Sequence, residues 1–216
     1  MGFAGEGDDK NFKMEDSLDP YKRFSWGIPP VSKGDYAFVL HMIHSLAEGG
    51  RMATVLPHGV LFRGASEGKI RQKLIDMNIL DAVIGLPANL FFGTGIPACI
   101  LVVKQNRSSE DILIIDASGD GLYEKGKNQN KLREEDIQRI VDAYGKYESI
   151  EKFAYVATKD EIKENDYNLN IPRYVDTFEE EGFVDMEEVA QNISVIKAEL
   201  AEVEAQMAKY LEELGL

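Results

Sequence analysis

Two adjacent aromatic residues, Phe91 and Phe92, stand between Leu86-Pro87-Ala88-Asn89-Leu90 and Gly93-Thr94-Gly95. Bulky rings in a glycine-flanked loop are poor core candidates. They are good surfaces on which a flat heterocycle can stack, worth about 1–3 kcal/mol per base. The competing reading is that both rings plug a hydrophobic gap. A second Leu-Pro pair, Leu56-Pro57, opens into His58-Gly59. Each pair ends a short apolar run, and open α/β sheets build their sites where strand ends release into loops. His58 therefore either contacts a substrate there or serves as an ordinary loop residue.

The other chemistry-bearing residues point less sharply. His41 and His44 are three apart, close enough on a helix to share a metal. No cysteine or third ligand lies near them in sequence, so no metal site is expected. Arg63, Lys69, Arg71 and Lys73 form the densest basic patch. It would either face phosphates in an assembly or form a solvated helix face. The polar segment Gly126–Leu132 and the cluster Asn165, Asn168 and Asn170 carry amides able to read adenine edges, although turns and loops use most such residues. Phe3-Ala4-Gly5-Glu6-Gly7 has the look of a glycine loop. No apolar strand precedes it and a charged stretch follows, so it is read as chance.

Positioning these residues takes a set of helices and strands. The first helix is expected from Asp35, as N-cap, to Ala47. Phe38, Val39, Met42, Ile43 and Leu46 would form its apolar face, and Gly49-Gly50 would end it. Strands are expected over Arg51–Leu56, Ile79–Leu86, Ala98–Val103 and Asp111–Asp116. A helix from Ser66 to Met77 would turn Ile70, Leu74 and Met77 inward and a basic face outward. Another, from Arg133 to Tyr147, would use Ile137, Ile140, Val141 and Tyr144 as its apolar face. Thr158 with Glu161 three residues on spells a capping box for a short helix. Residues 1–34 read as an irregular segment.

From Val189 the pattern changes. Val189, Ile193, Ile196, Leu200, Val203, Met207, Tyr210 and Leu214 alternate spacings of four and three, the mark of a coiled-coil seam. The seam must pack on its own domain or on another chain, because a lone helix of this length is marginal in water. The net charge of −14 is the wrong sign for a chain that grips DNA alone. Residues 176–216 hold twelve acidic residues against two lysines, or −10, which leaves −4 over residues 1–175. An acidic tail fits a protein partner or a solvated helix face. The single cysteine, Cys99, excludes an internal disulfide, and a buried structural thiol in the cytoplasm is expected. No signal peptide and no apolar stretch long enough to span a bilayer is visible.

The strings GGRMATVLPHGVLFRG (49–64), LPANLFFGTGIPACILVV (86–103), GKNQNKL (126–132) and ENDYNLNIPRYVDTFEEE (164–181) carry a family resemblance over roughly residues 28–183. The chain resembles the C-terminal portion of the modification (methyltransferase) subunit of type I restriction-modification systems, an adenine-specific DNA methylase family. The resemblance implies an α/β fold: the later half of a Rossmann-like S-adenosylmethionine-dependent methyltransferase sheet, plus a helical C-terminal extension. Its last two strands would be antiparallel, joined by the Phe91–Phe92 loop. The expected divisions are an irregular segment 1–34, a partial methyltransferase domain 35–117, a helical and loop extension 118–184, and a coiled-coil-like helix 185–216.

The implied activity is transfer of methyl from S-adenosylmethionine to the exocyclic amine of adenine in DNA. Such an enzyme must swing its base out of the duplex. The resemblance puts a stacking aromatic at Phe91 or Phe92 and a cofactor-lining residue at Phe38, for which core packing is the alternative. The family's cofactor glycine loop and its Asn-Pro-Pro-Phe/Tyr tetrapeptide are not in the sequence, since Pro29-Pro30 follow Ile28 rather than Asn. No catalytic residue is therefore assigned to this chain, and inactivity of the chain alone is expected. The implied partners are a specificity subunit and a restriction subunit, with DNA met through the complex and the C-terminal helix as the docking element. The alternative is an interaction module that docks on a specificity subunit without catalysis. Without an upstream half, Arg51–Leu56 would form an open sheet edge.

Overall fold

The computed structural model describes residues 19–30, 32–119, 121–177 and 186–213. The chain divides into two units, residues 1–177 and 178–216. The first is built on a five-stranded sheet. Its elements are α1 (Asp35–His44), β1 (Arg51–Pro57), α2 (Ala65–Asp76), β2 (Leu80–Gly85), β3 (Ala98–Lys104), β4 (Ile112–Asp116), α3 (Glu134–Lys146), β5 (Ala154–Ala157) and α4 (Lys159–Glu164).

The strand order is β1-β3-β2-β4-β5. β3 runs antiparallel to both β1 and β2, β4 runs parallel to β2, and β5 runs antiparallel to β4. So β1, β2 and β4 all point the same way, and their carboxyl ends lie at one rim of the sheet. All six residues of β2 and all five of β4 are buried, which explains why apart from Asp81 and Asp116 they are apolar or glycine. The expected antiparallel pair is β2 with β3. The sheet also continues beyond residue 117 through β5, whose AYVA is too short to stand out in sequence.

Two cores sandwich the sheet. One face packs Tyr36, Val39, Leu40 and Ile43 of α1 and Ile70, Leu74 and Ile75 of α2 against Leu56, Val83, Leu101, Val103 and Ile114. Ile162 of α4 joins this core, and Thr158 caps α4 through its Oγ1, which accepts the Glu161 N–H at 3.2 Å. The opposite face packs Ile140 and Ala143 of α3 with Phe153 over Ala82, Ile84, Leu113 and Ile115. Cys99 lies on the first core face with none of its surface exposed, and burial pushes its thiol pKa up to about 12.

Several local expectations are corrected. Gly34, not Asp35, is the N-cap of α1, and Asp35 instead accepts from Arg63 at 2.8 Å. α1 turns Tyr36 inward and leaves Phe38 exposed. In α3, Ile137 and Val141 are exposed while Ile140 and Ala143 face the core. The basic patch is no continuous solvated face. The Arg71 side chain is buried and donates inward to three carbonyls, and Arg63 pairs with Glu67 and Asp35.

The second unit is described as one helix, α5 (Met186–Glu213). Ile193, Ile196, Leu200, Val203, Met207 and Tyr210, the middle of the heptad seam, are exposed along it. The end of the seam, Leu214, lies outside the described residues, as do Phe3–Gly7.

Candidate functional site

Three loops leave the rim where β1, β2 and β4 end: residues 58–64, 86–97 and 117–133. The first begins with a single 3-10 turn, His58–Leu61. It is held from below by a buried polar network. Tyr36 Oη and Arg71 Nη1 both donate to the Val60 carbonyl, each at 3.0 Å. Arg71 also donates to the Arg63 carbonyl at 3.0 Å and to the Tyr167 carbonyl at 2.6 Å. Arg63 crosses beneath Gly59, where a Cβ would lie 2.7 Å from its guanidinium and would push that head aside. The Arg71 guanidinium, buried on three carbonyls, is expensive to disturb, because each freed acceptor keeps its desolvation cost.

This turn fixes His58 at the rim. Its N–H donates to the Pro97 carbonyl at 3.2 Å, tying the first loop to the second, and its ring meets Phe62 edge-on at 6.0 Å. Burial holds the imidazole below the usual histidine pKa, and the Asp116 carboxylate pulls upward without restoring it. Asp116 ends β4 opposite Gly85 of β2. Its Oδ1 accepts from Ser118 N at 2.9 Å and from Ser118 Oγ at 2.5 Å. The rim thus presents an imidazole with a lowered pKa beside a carboxylate hydrogen-bonded to Ser118.

The second loop carries the aromatic pair. Phe91 is 43% exposed and Phe92 89% exposed. Ile96, in the same loop, is also exposed. The loop's foot is clamped by the third loop. Asn130 donates through Nδ2 to the Ala88 carbonyl and through its N–H to the Asn89 carbonyl, both at 2.8 Å, and Gln129 donates through Nε2 to the Leu90 carbonyl. Asn89 sits in the left-handed region at φ 53°, with its side-chain oxygen against Gly95. Gln129 and Asn130 were visible in sequence only as polar residues with adenine-reading amides. Their hydrogen bonds go to the backbone that carries Phe91 and Phe92. A rigid foot with exposed rings at its tip can present a face to a planar ligand.

The remaining candidates separate from this rim. His41 Nδ1 lies 3.4 Å from Arg23 Nη1, and no group of three or more metal-competent side chains occurs among the described residues. Asn165, Asn168 and Asn170 serve the chain's own turns: Asn165 donates to the Glu161 carbonyl, and Asn168 accepts the Asn170 N–H. Phe38 is 61% exposed on α1. Among the described residues, one exposed ring on a helix surface does not by itself enclose S-adenosylmethionine.

A family model described as N-6 DNA Methylase matches residues 8–183. The chain belongs to the N-6 DNA methylase family. Among its relatives is the type I restriction enzyme MpnII methylase subunit of Mycoplasma pneumoniae, 39% identical over 170 residues, which cover 78% of this chain and 31% of the relative. The HindI methylase subunit of Haemophilus influenzae is 34% identical over 213 residues, 93% of this chain and 48% of the relative. The crystal structure of a type I restriction-modification methyltransferase subunit from Streptococcus thermophilus superposes with a TM-score of 0.70 at 51% identity, over 74% of this chain and 35% of that one. The chain therefore spans about a third to a half of the length of these relatives. The resemblance read from the strings at 49–64 and 86–103 holds, and the α/β fold is that of the methyltransferase subunits.

Proposed function

We propose that this chain is the later part of the catalytic domain of a type I restriction-modification methylase. The whole enzyme would transfer a methyl group from S-adenosylmethionine to the exocyclic amine of adenine in DNA. The observation that carries this reading is the clamped loop at the sheet rim with Phe91 and Phe92 exposed at its tip. In it, a base swung out of the duplex stacks on Phe91 or Phe92. His58 and Asp116 line the same rim, and Arg71, Gln129 and Asn130 hold its loops in place. The cofactor would supply the methyl group. Phe38 belongs to its surroundings only once further residues close over α1, so the chain alone neither binds it nor methylates.

The test uses the assembled methylase and tritiated S-adenosylmethionine. Replacing the stacking phenylalanine by alanine should lower kcat/KM for DNA roughly 5- to 150-fold, the equivalent of about 1–3 kcal/mol of lost stacking. Methylation unchanged in the double Phe91→Ala, Phe92→Ala variant would remove the reading.

A second reading has its own observation: the apolar stripe of α5 is exposed from Ile193 to Tyr210. In it, α5 docks on a specificity subunit through a coiled-coil seam, with or without catalysis. Removing residues 189–216 should abolish co-purification with that subunit. Retained binding would show that docking lies elsewhere.

A further inference from the structure

The third rim loop, residues 117–133, folds back on itself. Glu124 and Lys131 exchange both backbone hydrogen bonds, at 2.9 and 3.0 Å, which makes residues 124–131 a short hairpin. Its turn is tight. A Cβ on Gly126 would lie 2.0 Å from the Gln129 carbonyl oxygen, which is backbone and cannot swing aside. Below the hairpin, Leu122 and Leu132 pack on the core that α3 covers, and Arg133 Nη2 donates to the Gly121 carbonyl at 2.9 Å. The base is therefore anchored, while Lys125, Gly126, Lys127 and Asn128 at the tip are exposed.

The charge of this hairpin runs against that of its surroundings. Residues 125–131 hold three lysines and no acidic residue, whereas residues 1–175 sum to −4. Lys127 and Lys131 are exposed, and among the described residues neither ammonium has a carboxylate partner, Glu124 included. The neighbouring arginines are engaged within the chain: Arg63 with Glu67 and Asp35, Arg71 with three carbonyls, Arg133 with Asp136. Ammonium groups without a partner, held on an anchored loop, suit an anion from outside. For a chain of the N-6 DNA methylase family that anion is the phosphodiester of DNA.

The same hairpin grips the aromatic loop. Asn130 bonds the Ala88 and Asn89 carbonyls, and Gln129 bonds the carbonyl of Leu90, the residue before Phe91. Lys127 is two residues from Gln129, so their backbones stay within about 7 Å of each other. A nucleotide stacked on Phe91 or Phe92 brings its own flanking phosphates to this place. We propose that residues 124–131 are a phosphate grip, in which Lys127 and Lys131 neutralise DNA backbone phosphates beside the nucleotide held by the Phe91–Phe92 loop. Base and backbone are then held by one piece, because Gln129 and Asn130 join the hairpin to the stacking loop. Such contacts position the duplex without reading its sequence. The inference rests on the methylation reading for its partner, DNA, and its readout is binding rather than turnover.

The assembled methylase is titrated by fluorescence anisotropy against a labelled duplex that the parent enzyme methylates, from about 50 to 200 mM salt. Each phosphate contact adds about 0.9 to the steepness of log affinity against log salt. The double variant Lys127→Gln, Lys131→Gln should therefore lose about two from that slope, and about tenfold in affinity per lysine at about 0.1 M salt. Lys127→Arg with Lys131→Arg should keep the parental slope. Size-exclusion chromatography should find both variants fully assembled. Phe91→Ala with Phe92→Ala should weaken binding at the parental slope, because stacking releases no counterion. A slope unchanged in the glutamine variant overturns the proposal and leaves the stacking reading standing, whereas normal methylation by the alanine variant strikes the stacking reading whatever the slope. Loss of assembly in the glutamine variant also overturns the proposal, since it would put an acidic protein surface, not DNA, on the two lysines.

Discussion

His58 shows how a single side chain takes its character from the strand end that carries it. The first loop half-buries the ring, and burial lowers its pKa despite Asp116. Above the unfolded histidine value, about 6.5, the imidazole is neutral in both states and the fold bears no cost. Below it, the unfolded chain takes up the proton first, so stability declines as pH falls through the depressed folded value. Urea unfolding at pH 5 and pH 7 should show this loss, and His58→Gln should flatten that part of it. An equal loss in the variant would refute the assignment. Sequence placed His58 at a strand end but left its role open between substrate contact and loop. It also left Arg71 open between a phosphate-facing patch and a solvated helix face, whereas its side chain is buried. Spacing on a helix tells which side a residue faces only if the helix has one covered face, and α2 meets the 167–171 segment as well as the sheet.

At the scale of elements, apolar runs were legible wherever burial is complete. β2, β3 and β4 fall within a residue or two of their expected bounds, because strands covered on both faces read as continuous Val, Ile and Leu. The antiparallel β2–β3 pair followed from the family resemblance. Helix faces were harder. α3 offers Ile137, Ile140, Val141 and Tyr144, yet its core contact is through Ile140, Ala143 and the partly buried Tyr144, whose hydroxyl donates to Asp81 at 2.6 Å, while Ile137 and Val141 are exposed. Alanine carries no hydrophobic weight in a pattern but allows the close approach. Ile140→Ala should therefore cost about 2–5 kcal/mol in chemical denaturation. Ile137→Ala should stay within about 0.5 kcal/mol. Equal costs would mean that the helix is rotated from the position described. β5 was missed because four residues give no period to read.

The whole chain combines a sheet of familiar design with a separately described acidic helix. Its net charge of −14 comes mostly from residues 176–216, so the sheet unit is close to balanced. That asymmetry was readable from composition alone. Cys99, the single cysteine of the sequence, offers a last consequence. Walled in on β3 with its proton held to about pH 12, it is inert toward an aromatic disulfide reagent until the central strands part, since only an exposed thiolate attacks. Its labelling rate is a clock for opening of the sheet's middle, needs no engineered probe, and should track global unfolding rather than loop motion as urea rises. Rapid modification in native buffer would show that the centre of the sheet breathes far more than its packing implies.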